Sequence, residues 1–281
     1  MKVSASTVIY RTDDDELRRC LESLVSNGIH NIWIIDNSPE ATDISNVAAL
    51  FPDTELKYRH LPHNPGYGAA HNCAIREALD LGYEAHLVVN TDIMFSPDTI
   101  AKLTRVMVSD TNIGQISPRI VSPDGSQQYG QRLLPTPFDV FGRRFLPSFA
   151  MKSRNRRYML TERSEDTPAN IPYHQGSFML FRSEALRVTG GFDERFFMYP
   201  EDIDITRRIH QKYTTLYYPS VTITHAHRAS SYKSLKMLRV HCVNMIRYFN
   251  KWGWVIDRER RAVNRMTLKS MGLTRRGRRH N

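Results

Sequence analysis

The chain has 281 residues, of which 41% are hydrophobic and 24% charged, and its formal net charge is +10. This length and composition predict one or two globular domains and exclude a disordered or collagen-like chain. The three widely spaced cysteines form no Cys-x-x-Cys pair, which excludes a disulfide framework or a cysteine-rich zinc module and favours a reducing compartment.

Apolar strand patterns alternate with amphipathic helical patterns in the first part of the chain. Strands are predicted at 3–10, 32–35, 56–61 and 86–90, and helices at 14–27, 43–51, 69–81 and after a cap at Ser96-Pro97-Asp98. The alternation predicts a doubly wound α/β fold with a mostly parallel sheet, in which ligands bind beyond the carboxyl ends of the strands. Asp36, Asn37 and Asp92 all fall at such strand ends.

The remainder of the chain has a less regular pattern. Residues 120–170 are rich in proline, arginine and aromatic residues, which predicts a functional or mobile loop. Strands are then predicted at 177–181, 215–218 and 221–224, and helical segments at 184–189 and 202–212. From residue 233 apolar side chains recur at helical spacing, which predicts a C-terminal amphipathic helix.

Two acidic motifs are candidates for chemistry. Asn90-Thr91-Asp92 follows an apolar strand, and a carboxylate there suits Mg²⁺ or Mn²⁺, although a turn or helix cap would also explain it. Glu201 and Asp202 follow an aromatic stretch that would form a dry pocket and raise a carboxylate pKa toward base catalysis. Helix capping is the alternative for this group, and we prefer a structural role for Asp204.

Two further motifs carry weaker signals. Gly66-Tyr67-Gly68 opens a predicted helix and would suit a phosphate, but it lacks the third glycine of the dinucleotide-binding fingerprint. His225 and His227 stand two residues apart on a predicted strand, and therefore on opposite faces. They are not expected to share one metal ion unless the chain turns there; His225 is the better candidate ligand, and a polar core residue is the alternative.

Taken together, the motifs resemble those of the family 2 glycosyltransferases. The matching elements are Asp36-Asn37-Ser38, the loop from Asn64 to Asn72, Val89-Asn90-Thr91-Asp92, Gly176 to Phe181, Gly190 to Asp204, and His225. This resemblance covers about residues 3–250 and is most specific at Gly190 to Asp204. It is closest to the bacterial rhamnosyltransferase-like subgroup of these inverting, GT-A-fold enzymes. One departure is that Asp92 is the one carboxylate at the place of the family's DxD motif.

The resemblance implies a role for each motif. Asp202 would be the catalytic base and Glu201 would orient the acceptor. Asp92, with His225, would hold Mg²⁺ or Mn²⁺ on the donor diphosphate. The donor nucleotide would be bound by Asp36, Asn37, Asn64, Gly66, Asn72 and Asn90, and Gly176 would lie beside the acceptor.

The resemblance also implies a domain organisation and a reaction. A single GT-A domain, Rossmann-like with helices flanking a mostly parallel sheet, would occupy 1–250, with a nucleotide-sugar half at 1–118 and an acceptor and catalytic half at 119–250. A basic extension would follow at 251–281. The implied reaction moves a sugar from a nucleoside-diphosphate sugar to a hydroxyl of a saccharide acceptor, expected to be lipid-linked, in the assembly of a cell-surface polysaccharide.

The positive charge lies in two segments. Residues 258–281 carry +8 and residues 132–163 carry +6, which leaves −4 on the rest of the chain. Within 132–163, Arg143, Arg144 and Arg154 are expected to meet the diphosphate of a lipid-linked acceptor. The tail arginines suit an anionic membrane, so we expect a cytoplasmic protein peripheral to the inner face of the plasma membrane. A solvated, flexible charge run is the alternative for both segments.

A sugar nucleotidyltransferase and a non-enzymatic nucleic-acid-binding protein are the main alternative functions. The former normally has a glycine-rich basic loop after its first strand, where this chain has the acidic run Asp13-Asp14-Asp15. The latter lacks its signature motifs and would need a basic body. A zinc hydrolase is a more distant alternative because its ligand spacing is missing. We therefore expect no nucleic-acid partner, and the sequence carries no prediction of oligomeric state.

Overall fold

The computed structural model describes residues 1–143, 146–226 and 235–273. The strands are β1 (Val3–Ile9), β2 (Asn31–Asp36), β3 (Glu55–His60), β4 (Ala85–Val89), β5 (Ile93–Met94), β6 (Ile113–Val121), β7 (Gln127–Gln128), β8 (Gln131–Arg132), β9 (Ala169–Asn170), β10 (Tyr173–His174), β11 (Phe178–Arg182) and β12 (Thr214–His225). The helices are α1 (Asp14–Val25), α2 (Ser45–Ala48), α3 (Tyr67–Asp80), α4 (Thr99–Ser109), α5 (Ser148–Tyr158), α6 (Ser183–Thr189), α7 (Glu201–His210), α8 (Leu235–Trp252) and α9 (Arg258–Ser270), and a π-helical turn spans Phe138–Gly142.

A ten-stranded sheet forms the centre of the protein, with its main strands in the order β3-β2-β1-β4-β11-β6-β12-β5. Strands β1 to β4, β6 and β12 point the same way, and β11 runs antiparallel between β4 and β6. The predicted α/β fold with a mostly parallel sheet is therefore confirmed. Because the parallel strands share one carboxyl edge, the polar residues that follow β2 and β4 lie at that edge.

The apolar periodicity of the sequence explains how the helices cover the sheet. Helix α1 buries Leu17, Leu21 and Leu24 in one cluster with Ile32 and Ile34 of β2. Leucines at this spacing share one helix face, while two of the three acidic residues of its first turn are exposed, and all three favour the helix dipole. The result is a continuous buried apolar layer between α1 and β2.

The predicted loop over 120–170 is wrong in part. Helix α5 forms an eleven-residue helix inside this segment, and β6, a strand that the sequence pattern does not predict, lies just before it and ends at Val121. The sequence pattern hid β6 because Gly114, Gln115 and Pro118 interrupt its apolar run. Pro118 is tolerated because the pairing register with β12 shifts beside it, where a missing N–H removes little. Helix α5 was hidden because its sequence is polar with almost no apolar face.

Two smaller predictions are also corrected. Asp98 occupies the N-cap position of α4, but it adopts a left-handed conformation (φ 68°) and its side chain makes no cap bond. The side chain of Asn27, at the end of α1, accepts from Ile100 N instead (3.1 Å). The two strands predicted at 215–218 and 221–224 form the single strand β12, which continues through an irregularity in its pairing with β6.

The described part of the C-terminal segment packs against the body. Leu268 of α9 lies in one buried cluster with Tyr248 and Phe249 of α8. Arg207 of α7 makes a buried bidentate ion pair with Asp257, which precedes α9 (Nη1–Oδ2 2.8 Å, Nη2–Oδ1 2.9 Å). Among the described residues, no helix is both long enough and apolar enough to cross a membrane. The division at residue 250 stays a prediction, and the tail arginines after Leu273 lie outside the described residues.

Candidate active site

Two buried carboxylates open helix α7. Glu201 and Asp202 are its first two residues and are 4% and 7% exposed. The Oδ2 atom of Asp202 accepts from Gly176 N (3.0 Å), and its Oδ1 accepts from Ile203 N (2.7 Å). Tyr199, just before the helix, holds a positive φ of 89°, a strained backbone of the kind that collects at functional sites.

Burial controls the protonation of this pair. Loss of solvent raises the pKa of Asp202 to about 7, against the lowering effect of the N–H groups of Ile203 and Gly176. Burial, and then the negative charge of Asp202, raises the pKa of Glu201 well above its ordinary value. A carboxylate whose pKa lies near neutrality is suited to accept a proton at physiological pH, which is the property of a general base.

Gly176 and Tyr67 connect the carboxylate pair to the end of β4. A Cβ atom on Gly176 would lie 3.2 Å from Cβ of Asp202, so glycine permits their close approach. The Tyr67 hydroxyl lies 2.8 Å from the Gly176 carbonyl oxygen and 2.9 Å from Oδ1 of Asn90. Burial, with the charges of Glu201, Asp202 and Asp92, raises the pKa of Tyr67, which keeps it a donor. The sequence pattern includes Tyr67 only as part of a loop motif and does not reveal this role.

Asp92 and His225 face each other across two strands. Strand β5 pairs with the end of β12, which brings His225 Nε2 to 3.3 Å from Oδ2 of Asp92. His225 Nδ1 donates to Oε1 of Gln128 (2.9 Å), because the Gln128 amide nitrogen donates to the His225 carbonyl (2.9 Å). The Nε2 atom of His225 is therefore directed at Oδ2 of Asp92. A ring nitrogen and a carboxylate oxygen approach this closely only with a proton or a cation between them.

This donor set fits a divalent cation. A carboxylate and an imidazole whose other nitrogen is held by a hydrogen bond form a recurrent half-site for Mn²⁺ or related ions. Within the described residues, no group of three or more His, Cys, Asp or Glu side chains is placed to hold a metal. His227 lies outside those residues.

The loop from Asn64 to Asn72 packs against the segment that leads to α7. Gly66 has a φ of 102°, and a Cβ atom there would lie 2.4 Å from the Phe197 carbonyl oxygen. The Gly66 N–H donates to Oδ1 of Asn64 (3.2 Å) and the Tyr67 N–H to the Phe197 carbonyl (3.0 Å). Two N–H groups that would cradle a phosphate are thus already engaged within the protein.

Asn72 is a buried clamp on the same segment. Its Oδ1 accepts from Phe192 N (2.8 Å), and its amide nitrogen donates to the Phe192 carbonyl (2.8 Å) and to Glu194 (2.9 Å). A Cβ atom at position 191 would lie 2.3 Å from Asn72 Oδ1, which explains the glycine there. The clamp fixes the chain that leads into α7.

Asp36 and Asn37 lie at the carboxyl end of β2. Asp36 is fully buried, and its carboxylate accepts from Ser38 N, Thr42 N and the Tyr58 hydroxyl (2.7–2.8 Å). Burial alone would raise the pKa of Asp36, but these hydrogen bonds outweigh it and lower the pKa to about 2. Asp36 therefore shapes the loop after β2 as a permanent anion. Asn37 donates to the Gly66 carbonyl (3.4 Å), which joins this loop to the next.

The arginines expected at the acceptor side lie apart from the carboxylate pair in sequence and make local contacts. Arg154 pairs with Asp139 (Nε–Oδ1 2.6 Å) and donates to the Thr136 hydroxyl. Arg143 lies over the Tyr158 ring, 5.6 Å from its centroid. Arg144 lies outside the described residues.

Arg132 is a site residue that the sequence did not single out. It lies over the Tyr173 ring (5.6 Å), and its charge lowers the pKa of Asp202. Strand β8 places it there by pairing Arg132 with Tyr173 of β10. Since eight basic residues occur in 132–163, no sequence signal distinguished this one.

Two known proteins are similar in sequence to about three quarters of this chain. The sequence is 28% identical over 218 residues to N-acetylglucosaminyl-diphospho-decaprenol L-rhamnosyltransferase of Mycobacterium tuberculosis (strain CDC 1551 / Oshkosh), covering 74% of this chain and 70% of the relative. It is 27% identical over 211 residues to low-salt glycan biosynthesis hexosyltransferase Agl10 of Haloferax volcanii, covering 73% of this chain and 61% of the relative.

Solved structures share the fold. A crystal structure of GalNAc-T7 with UDP, GalNAc and Mn²⁺ has a TM-score of 0.63 at 15% identity, covering 89% of this chain and 48% of that one. This chain thus spans about half the length of that protein. The mannosyltransferase PcManGT from Pyrobaculum calidifontis, in complex with GDP-Man and Mn²⁺, has a TM-score of 0.57 at 17% identity, covering 96% and 75%. These similarities confirm the predicted GT-A architecture.

The family model described as Glycosyl transferase family 2 matches residues 5–190. The match runs from β1 through α6 and contains the ends of β2 and β4, the Asn72 clamp and Gly176. Since it covers about two thirds of the sequence, the chain belongs to glycosyl transferase family 2.

Proposed function

We propose that this glycosyltransferase moves a sugar from a nucleoside-diphosphate sugar to a hydroxyl of a saccharide carried on a lipid diphosphate, with inversion at the anomeric carbon. The observation that carries the proposal is the buried Asp202 carboxylate, which accepts a hydrogen bond from Gly176 N and whose pKa is raised by burial to about 7. The name of the mycobacterial relative specifies an N-acetylglucosaminyl-diphospho-decaprenol, which supports a lipid-linked acceptor and a role in glycan assembly.

In the proposed reaction Asp202 takes the proton of the acceptor hydroxyl. The hydroxyl oxygen bonds to the anomeric carbon as the bond from that carbon to the diphosphate oxygen breaks, and the nucleoside diphosphate leaves. Glu201 is buried and its Oε2 has no hydrogen-bond partner among the described residues. We assign Glu201 to orient the acceptor, and Gly176, Arg143, Arg144 and Arg154 to the acceptor side.

The donor nucleotide is proposed to bind at the carboxyl ends of β2 and β4, at Asp36, Asn37, Asn64, Gly66, Asn72 and Asn90. Asn37 Oδ1 is buried without a hydrogen-bond partner among the described residues, so it is available to a donor group. Asp36 and Asn72 already have full sets of partners, and the Gly66 N–H is bonded to Asn64, so these residues contribute by holding the loops in place.

Asp92 and His225 are proposed to hold Mg²⁺ or Mn²⁺, which when bound acts as a Lewis acid toward the charge that develops on the departing diphosphate. Gln128→Ala removes the hydrogen bond that orients His225, so we expect Mn²⁺ affinity to fall by about 10–100-fold in a calorimetric titration. Gln127→Ala is the matched control on the same short strand. An unchanged affinity in Gln128→Ala would contradict the proposed role of His225.

The raised pKa of Asp202 predicts how stability depends on pH. The folded protein retains a proton between about pH 4 and pH 7 that the unfolded chain releases, so the free energy of unfolding falls as pH rises through this window. The fall is up to about 4 kcal/mol from this group. Asp202→Asn removes it, so urea unfolding at pH 5 and pH 8 should show a smaller pH dependence and a more stable variant at pH 8. Identical pH dependence in both proteins would refute the assignment.

We propose that the basic tail binds an anionic membrane surface at the inner face of the plasma membrane. Leu273 packs against the core, so truncation after it removes Arg275, Arg276, Arg278 and Arg279 and leaves that packing intact. At about 1 kcal/mol for each arginine, the affinity for phosphatidylglycerol vesicles should fall roughly 1,000-fold in a sedimentation assay. Full binding by the truncated protein would assign the membrane contact elsewhere.

A ligand panel tests the proposed function. Thermal unfolding is measured with uridine, thymidine and guanosine diphosphate sugars, with and without Mn²⁺, and rhamnose donors come first because the relative is an L-rhamnosyltransferase. A donor at 100 times its Kd raises stability by about 2.7 kcal/mol. The donor that stabilises should then release its nucleoside diphosphate when acceptor is added. Formation of a sugar nucleotide with release of pyrophosphate would instead indicate a nucleotidyltransferase.

A further inference from the structure

A cavity of about 410 Å³ lies between helices α5 and α9, within the size range of small-ligand sites. Among the described residues that line it, the charged ones are five arginines and one aspartate: Arg154, Arg157, Arg260, Arg261, Arg265 and Asp139. Helix α5 and the segment before it supply one side and α9 the other. Positive charge from two separate helices therefore meets in one concave space.

The charged side chains that line the cavity differ in how many of them already have partners within the protein. Asp139 is buried and already paired with Arg154, so it offers little to the remaining arginines. Arg260 is 3% exposed and donates to the carbonyls of Pro135, Gly253 and Trp254. The guanidinium of Arg260 is thus held in the wall of the cavity by backbone carbonyls.

The three other arginines are exposed. Arg261 donates to the Val255 carbonyl (3.1 Å). Within the described part of the chain, neither Arg157 nor Arg265 forms an ion pair. Within the described residues, these three guanidinium groups line one cavity and none of them pairs with a carboxylate, so they repel one another, and a bound anion would relieve this repulsion.

The walls of the cavity are held in place by hydrogen bonds. The Asn264 side chain on α9 accepts from Leu134 N and donates to the Leu134 carbonyl (both 2.9 Å). The Leu133 N–H donates to the carbonyl of Tyr158, the last residue of α5 (3.0 Å). The two helices are therefore fixed to the same short segment, so the backbone positions that carry the arginines are set before any ligand binds.

That segment leads from the catalytic carboxylates to the cavity. Arg132, whose charge acts on Asp202, directly precedes Leu133 and Leu134, and both leucines line the cavity. Tyr158 also lines it and interacts with Arg132. Arg132 thus acts on the proposed base, while the two residues after it in sequence and its partner Tyr158 line the cavity.

We propose that this cavity binds a diphosphate, namely that of the lipid-linked acceptor, an inference that rests on the proposed function. Guanidinium groups bind phosphate oxygens through paired, charge-assisted hydrogen bonds, and a diphosphate offers enough oxygens for several arginines. Arg157, Arg261 and Arg265 hold the acceptor by its diphosphate, while the saccharide extends toward Asp202.

The experiment is a titration with geranyl diphosphate in EDTA, which prevents metal-dependent binding at the donor site. Arg261→Ala/Arg265→Ala is expected to lower the affinity about 100-fold, since removing one charge-assisted hydrogen-bonding group weakens binding roughly tenfold. Arg157→Ala changes the opposite wall and should lower it about tenfold. Lys102→Ala/Arg105→Ala, on exposed positions of α4, removes the same charge elsewhere and should leave binding unchanged.

Two results would overturn the cavity assignment. One is unchanged geranyl diphosphate binding in the α9 double variant; if that variant also no longer binds phosphatidylglycerol vesicles, the arginines bind a membrane headgroup instead. The other is an equal reduction in the α4 control, which would indicate bulk charge alone. The proposed function fails separately: a protein that binds geranyl diphosphate through these arginines but transfers no sugar would keep the cavity and lose the reaction.

Discussion

Asp202→Asn is expected to lower kcat by roughly 10²–10⁴-fold, because the amide cannot accept the proton of the acceptor hydroxyl. The substitution nearly preserves shape, and Gly176 N and Ile203 N can still donate to the amide oxygen. Donor binding should therefore be unchanged, as measured by the shift in unfolding temperature with the donor. In the native enzyme kcat/KM should fall tenfold for each pH unit below about 7, and this acid limb should be absent from the variant.

Asp204→Asn is the matched control for this experiment. Asp204 is fully buried two residues further along α7, where it binds Arg208, Lys251 and Trp252. Its substitution should reduce the amount of folded enzyme but leave the turnover of the folded fraction close to native. If instead Asp202→Asn keeps near-native turnover, Asp202 is not the base.

Asp257→Ala is expected to destabilise the protein by about 3–5 kcal/mol, because it leaves the buried guanidinium of Arg207 without its bidentate partner. It also removes the cap of α9, where Asp257 Oδ1 accepts from Arg260 N (2.8 Å). Chemical denaturation measures the destabilisation directly. Since Arg207 lies on α7, which begins with Glu201 and Asp202, the ion pair connects the start of α9 to the helix that carries the proposed base.

Glu259→Ala provides the comparison. Glu259 contacts the same guanidinium (2.8 Å) but is about one-third exposed, so its removal should cost under about 1 kcal/mol. Equal, small effects of the two substitutions would mean that α9 does not unfold together with the body of the protein.

The local sequence pattern was sufficient to predict the strands in the first half of the fold. Runs such as Ile32-Trp33-Ile34-Ile35 are continuous and apolar, as expected for a parallel strand covered on both faces, so they were predicted within one or two residues. Strand β6 was missed because neighbouring elements bury it, whereas its own sequence lacks the continuous apolar run that is typical of a buried strand. The cap of α4 was misassigned because its acceptor, Asn27, is over 70 residues away in sequence.

The residues of the candidate site show the same contrast between those that the local sequence identifies and those that depend on distant elements. Asp92, Asp202 and His225 were named because acidic residues and histidine at strand or helix ends carry chemistry by type. Tyr67, Gln128 and Arg132 were missed because their roles depend on pairings between distant elements, such as Gln128 with His225 and Arg132 with Tyr173. The local sequence around a residue that orients another residue carries no pattern that would identify this role.

The stereochemistry of the product tests the central assignment most directly. The enzyme is supplied with the donor identified by the ligand panel and with a lipid-diphosphate saccharide, and the anomeric configuration of the new linkage is determined by NMR. A single displacement assisted by Asp202 predicts a linkage whose configuration is opposite to that of the donor. A product that retains the donor's configuration would contradict the proposed mechanism.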